Sequence, residues 1–249
     1  MMRTLAIAVA TAIGLLATQA TAQDYPDNNS GMQTGTRFLR EPENATAAEA
    51  RWMQKRVVNC VWNRNEDEVR DLLANSDFYQ IDWDAIDMTP DSAFDDLEVT
   101  YCIGRLMRGA ANNVYQTYMR IPFSTLRNAL AEEAYLGDFD GPPMIAPNHV
   151  VDIYARFNGE RVHPQVSTMA AMADCIVYNA LETSHALMRA RPGSDGEGEV
   201  IEQLGPVVAA CANSSEDELS VQNGLVRQLV ADGLWSRSHY GSNTALEAE

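Results

Sequence analysis

The chain has 249 residues, 35 of them Asp or Glu and 18 Lys or Arg, for a formal charge of −17. Nucleic acid and anionic lipid surfaces both call for clustered Lys and Arg, so this balance excludes them as partners. Lys55 is the only lysine, and the acidity suits a soluble, self-repelling chain.

Residues 1–22 have the parts of a secretory signal peptide: Met1-Met2-Arg3, an apolar run from Leu5 to Ala17, and Ala20-Thr21-Ala22 before Gln23. The apolar run is shorter than the roughly 20 residues a membrane helix needs. No later stretch is apolar enough to span a bilayer. The mature chain is expected from Gln23, periplasmic or secreted, with no membrane insertion once the leader is removed. Residues 23–43 carry Pro26, Asn28, Asn29, Gly31 and Gly35 and are expected to form a disordered arm.

From residue 44 the apolar period is helical and the chain is written twice. Asn59-Cys60-Val61 recurs as Asp174-Cys175-Ile176, and the run from Leu126 to Tyr135 recurs from Val226 to Trp235. The first repeat spans 44–136. Asn44 is placed to cap a helix through Cys60 to Trp62. Asn65 is placed to cap a second, with Glu68 three residues on. Residues 75–90 are an aromatic and acidic insertion with Phe78, Tyr79, Trp83, Ile86 and Met88. Ser92 opens a third helix bearing Cys102, with Gly109 to close it, and an extended piece at Tyr118–Ile121 precedes a helix from Phe123 to Leu136. Gly137 sits at that helix's C′ position. Residues 137–164 are a linker or crossover rich in Pro and Gly, with an apolar centre at Val150–Phe157 that fits a strand or a helix.

The second repeat, 165–235, follows the same order. Asn179 with Glu182 opens its second helix, Val200 to Cys211 its third with a kink at Pro206, and Gly224 to Trp235 its last. Residues 236–249 are expected to be a disordered tail. The predicted fold is therefore all-α: two tandem disulfide-stapled helical repeats about an approximate two-fold, with an irregular arm and a connecting linker.

Four cysteines in an exported chain read as two disulfides, and four allow three pairings. The repeat favours Cys60–Cys102 and Cys175–Cys211, because each copy then closes on itself. Zinc ligation has no Cys-x-x-Cys or Cys/His spacing to support it.

The frame of cysteine, apolar helix, cysteine and a Leu-Arg-x-x-Leu-Ala-Glu-x-x-Tyr ending (Leu126 to Tyr135) resembles small exported proteins of sphingomonad-type alphaproteobacteria. The likeness covers about Val57 to Trp235. Copy two departs from the ending at Val226, Asp232, Gly233 and Trp235. The resemblance implies a bacterial periplasmic setting and brings no activity.

Motifs for catalysis are lacking. There is no Gly-x-Ser-x-Gly, Walker or dinucleotide loop, the acidic clusters fit no EF-hand, and His149, His163, His185 and His239 are expected at the surface or at caps. No catalytic residue, cofactor or metal ligand is assigned. The candidate structural or ligand-facing residues are Arg127 and Arg227, which hold the same place in both copies. A half-buried guanidinium needs a carboxylate. Asp174, beside the first cysteine of copy two, is the expected partner of Arg227. Arg127 is expected to take Glu132 or an acid of the insertion. The sequence suggests an interaction or structural module with a protein partner. The alternative is an enzyme or small-ligand binder with a pocket between the repeats, lined by Arg127 or Arg227 and by Phe78–Met88.

Overall fold

The computed structural model describes residues 45–107, 119, 121–144, 164–213 and 221–245, all within one compact unit. The described residues are all-helical, with nine helices and a single isolated bridge between Ser76 and Ile81.

Helix α1 is Ala47–Trp62. Thr46 caps it: its hydroxyl accepts from the Glu49 N–H at 3.2 Å, and the Glu49 carboxylate accepts from the Thr46 N–H at 2.8 Å. Asn44, the expected cap, lies outside the described residues. Val57, Val58, Val61 and Trp62 form the buried face. Helix α2, Glu66–Ala74, buries Val69, Leu72 and Leu73 and places three acids in its first turn, where they complement the helix dipole. Asn65 does not cap it. Its side chain points inward and donates to the carbonyls of Val61 and Leu97.

The single helix expected from Ser92 is broken in two. Helix α3, Ala93–Asp96, ends at Leu97, and α4, Val99–Met107, starts after Glu98, whose φ of 51° is left-handed. Asn65 takes the Leu97 carbonyl at 3.0 Å, and Glu98 turns out to Arg64. These two contacts hold a backbone that a non-glycine residue adopts only at a cost. Ser92 bonds to Thr89 and makes no side-chain cap. Gly109 lies outside the described residues, as does most of the extended piece.

Helix α5, Phe123–Asp138, is buried from Leu126 to Tyr135 with Ala129 alone half-exposed, which makes it a central helix. It runs past Gly137. That glycine serves close packing, since a Cβ there would lie 2.9 Å from the Trp62 ring. Helix α6, Pro164–Asn179, starts on a proline whose fixed φ suits the first helical position. Residues 145–163, including Val150–Phe157, lie outside the described residues. Helix α7, Leu181–Arg189, follows Ala180 rather than Asn179, whose amide bonds back to the Cys175 carbonyl at 2.8 Å. Helix α8, Asp195–Cys211, is capped by Ser194 and absorbs Pro206 within its length. Helix α9, Asn223–Ala245, continues ten residues beyond Trp235, where the sequence suggested a tail.

Helices α5 and α9 pack on each other at the centre. Helix α1 lies on α5 and α4; α6 lies on α9 and α8; α2 flanks α5 as α7 flanks α9. Cys60–Cys102 joins α1 to α4 and Cys175–Cys211 joins α6 to α8, with Cα atoms 5.7 and 5.8 Å apart and loops of 42 and 36 residues closed. In the chain-entropy account each bridge stabilises by up to about 4 kcal/mol. One continuous apolar core reaches from Val57 to Trp235.

Close approach of α9 to α6 depends on Gly233, where a Cβ would come to 2.6 Å from the Ala173 carbonyl oxygen. Gly233→Ala should therefore cost about 1–3 kcal/mol by overpacking. Gly198→Ala on α8 has open space around it and should stabilise by about 0.5–1 kcal/mol. Urea unfolding of the two variants should show these opposite signs, and a stabilised Gly233→Ala would show that α9 can move off α6 without loss.

Candidate functional site

Two arginines, buried on neighbouring apolar helices, must find carboxylates close by, because an unpaired buried charge loses its hydration without return. Arg127 on α5 is fully buried and Arg227 on α9 nearly so. Arg127 Nη1 bonds Asp232 Oδ1 on α9. Arg227 grips Glu132 on α5 with both arms, Nε to Oε2 at 2.8 Å and Nη2 to Oε1 at 2.6 Å. In each helix the acid follows the arginine by five residues. Five residues at about 100° each turn the acid about 140° away on its own helix, so it cannot serve its own arginine and meets the other helix instead. The pairs are crossed and reciprocal.

Each arginine has further partners. Arg127 Nε donates to Ser76 Oγ at 2.9 Å and Nη1 to Asn128 Oδ1 at 2.9 Å, and the guanidinium lies 5.5 Å from the centre of the Trp235 ring. Arg227 Nη1 bonds Glu197 Oε1 at 3.1 Å, and Nη2 donates to the carbonyls of Met188 and Ala190. Glu197 also takes Arg51 at 2.9 Å. Lys55 sits between Glu132 and Glu133, and Asn59 Nδ2 donates to Glu133 at 2.7 Å. Arg51, Lys55 and Arg227 thus balance Glu132, Glu133 and Glu197, while Arg127 balances Asp232. Burial pushes the Glu132 carboxyl up, but the Arg227 and Lys55 charges outweigh it and hold the group below the usual carboxylate value. Burial likewise works against the Arg227 charge, and Glu132 and Glu197 overcome it and raise the guanidinium value.

The sequence paired Arg227 with Asp174, and the structure does not. Asp174 on α6 faces Arg237, whose Nε is 2.6 Å from Oδ1. Arg237 is ten residues beyond Arg227, about 15 Å along the helix, in the stretch that the sequence treated as tail. Arg127 takes neither Glu132 nor an acid of the insertion; the insertion supplies it with Ser76 Oγ. Phe78 is buried against Ala173 and Leu229, its carbonyl accepts from Asn128, and Trp83 packs edge-on to Phe123. Phe78 and Ile86 of the insertion thus belong to the core, while Tyr79 is exposed.

A cavity of about 60 Å³ lies between α1, α5 and α9, lined by Arg51, Lys55, Glu132 and Arg227 among others. It has room for a few waters, far below the volume of an organic ligand site. Among the described residues no group of three or more His, Cys, Asp and Glu could hold a metal ion, and no helix is long and apolar enough to cross a membrane.

His185 on α7 is buried, against the expectation of a surface or capping histidine, and its Nδ1 lies 2.8 Å from the Tyr135 hydroxyl on α5. His149 and His163 lie outside the described residues. Burial lowers the His185 value and Arg189 adds to the fall, opposed by Glu182 and a backbone hydrogen bond to Asp140. Burial pushes Tyr135 up to about 12, so it remains the donor.

Removing one member of the Arg127–Asp232 pair strands a buried charge. Arg127→Met or Asp232→Leu alone should cost about 3–5 kcal/mol, and the double variant much less than their sum. Arg227→Met with Asp174→Asn should be additive, because these residues do not touch. Denaturant unfolding of both cycles checks the crossed pairing, and additivity at Arg127–Asp232 would refute it. His185 makes a second prediction. A histidine whose folded value is lowered contributes stability in full above its unfolded value near 6.5 and loses it as pH falls toward the folded value. The melting temperature should drop between pH 7.5 and 5.5, and His185→Phe should flatten that drop.

Compared with known proteins, the chain matches no family model, no curated protein and no solved structure.

Proposed function

We propose that this chain is an exported, disulfide-locked helical module built from two copies of one helical unit about an approximate two-fold axis, and that it works by presenting its surface to a protein partner in the periplasm. The observation that carries the proposal is the crossed pairing of Arg127 with Asp232 and Arg227 with Glu132. When residue i of one unit meets j of the other and j meets i, the contact is self-complementary, the mark of a two-fold interface. The matching helix order supports it, as do the disulfides at equivalent places. The leader-like opening from Met1 to Ala22 and the two bridges support an oxidising compartment, and the resemblance to exported alphaproteobacterial proteins supports a periplasmic one. The acidic balance favours a protein partner over nucleic acid or membrane.

An enzyme or ligand binder with its site between the two units is the second reading. The Arg227 cavity is in the right place for it and too small for an organic substrate.

Expressed with its leader in a Gram-negative host, the chain should be released by osmotic shock, begin near Gln23 and contain no free thiol. Retention in the cytoplasm with four free thiols would sink the proposal. Native mass spectrometry of the purified chain separates the two readings: a stoichiometric small molecule lost on Arg227→Met would favour the second.

A further inference from the structure

Ten arginines are among the described residues, and seven face a carboxylate: Arg51, Arg64, Arg70, Arg127, Arg189, Arg227 and Arg237. The other three are Arg56, Arg105 and Arg191, which make no ion pair among the described residues, and they gather at one place. Arg56 and Arg105 line a recess of about 430 Å³ beside the Cys60–Cys102 disulfide. Arg191 lies over the ring of Trp52, 4.7 Å from its centre, and Trp52 lines the same recess.

We infer that this recess is a binding site for a small organic anion, one carboxylate, sulfonate or phosphate group carried on a flat apolar body. Its volume falls within the range of small-molecule sites. Among the described residues no carboxylate lines it, in a chain where acids outnumber bases about two to one. Between Glu98 and Glu132 the sequence has no Asp or Glu at all. Lys55 also lines the recess, but Glu132 and Glu133 already neutralise it. The two guanidinium groups of Arg56 and Arg105 are therefore the charges left for a ligand, and a planar guanidinium suits an oxyanion. Trp52 and Leu106 supply the apolar wall.

The fold sets the spacing of these charges. Arg56 stands one turn before Cys60 on α1 and Arg105 one turn after Cys102 on α4, so the disulfide that ties α1 to α4 also holds the two arginines at one recess. Both are exposed. Two like charges gathered at one open recess repel, and an anion bound there offsets that repulsion.

The test uses the full oxidised chain at constant ionic strength, with three probes: naphthalene-2-sulfonate, inorganic sulfate and the uncharged 2-naphthol. Nuclear magnetic resonance follows the Nε–H signals of Arg56 and Arg105 and the indole N–H of Trp52, assigned by triple resonance. Naphthalene-2-sulfonate should saturate and move all three signals, while sulfate and 2-naphthol each bind at least about tenfold more weakly. Arg56→Gln with Arg105→Gln should weaken the sulfonate at least about tenfold, as expected for loss of charge-assisted hydrogen bonds, with the melting temperature unchanged. Arg56→Lys with Arg105→Lys should keep part of the affinity, and Arg189→Gln, away from the recess, all of it. Equal binding of sulfonate and 2-naphthol, no saturation by the sulfonate, or full affinity in the double glutamine variant would each overturn the proposal. Should the glutamine variant fold poorly, the signals moved in the wild-type chain decide the matter.

Discussion

Two guanidinium groups buried on adjacent helices are the constraint from which the rest of this fold follows. Neither α5 nor α9 can neutralise its own arginine, because the acid five residues on points away. Each helix has an unsatisfied arginine and an unsatisfied acid until it meets the other, and their union closes both pairs at once. A slip of one turn along the interface would break both pairs and bury four separated charges. Buried ion pairs are poor sources of net stability, since desolvation offsets most of the attraction. Their strength is discrimination between registers. The apolar residues around them, Leu126, Leu130, Val226 and Val230, would accept more than one alignment. The charges accept one.

Around this shared pair the two halves differ in how they close over it. Arg127 is sealed by the insertion, through Ser76, and by Trp235. Arg227 is sealed by helix ends, through Met188, Ala190 and Glu197, and Glu197 is held in turn by Arg51 and by the Gly193 N–H at 2.8 Å. Gly193 has φ +80° and lies so near Ala48 that a side chain would collide with α1. The turn before α8 and the start of α1 are therefore clamped together over the second arginine. One side uses a long irregular insertion and the other a tight glycine turn to solve the same electrostatic problem. Arg127 and Arg227 are thus both closed over, although the segments that seal them differ in length and kind.

The helices, the cysteine frame and the repeated arginines were legible in the sequence because each has a local signature: the apolar period, the Asn/Asp-Cys-Val/Ile pair and a charge within an apolar run. The identity of the salt-bridge partners was not, since pairing crosses between helices about 100 residues apart. A signal was present nonetheless: Glu132 and Asp232 each follow an arginine, Arg127 and Arg227, by five residues. The break at Leu97–Glu98 was hidden because its cause, the Asn65 amide on the Leu97 carbonyl, comes from 32 residues away. The extension of α9 was hidden because Ser236–Gly241 looks polar; Arg237 is buried only because Asp174 waits for it on α6. The aromatic insertion suggested a ligand wall, but aromatic side chains fill cores at least as readily as they line pockets.

The charge pattern divides the molecule into an inside and an outside with different logic. Among the described residues each buried cation has a carboxylate at contact distance, and the groups at the α5–α9 junction neutralise one another. Such a junction has no charge left over for a substrate, and its groups are held by several partners each, so it positions helices. Outside, Arg64 and Arg70 are likewise matched to Glu98, Glu66 and Asp138. Against that background Arg56 and Arg105, beside the first disulfide, and Arg191 are the arginines without a carboxylate among the described residues. In a chain with an excess of acids, leaving a guanidinium unpaired is easy to avoid by placing one carboxylate a turn away on the same helix. The positions four residues from Arg56 hold Trp52 and Cys60, and those four residues from Arg105 hold Tyr101 and Gly109, none of them acidic. Cys60 fills one of these places, so a residue of the bond that fixes α4 to α1 stands where an acid could have neutralised Arg56.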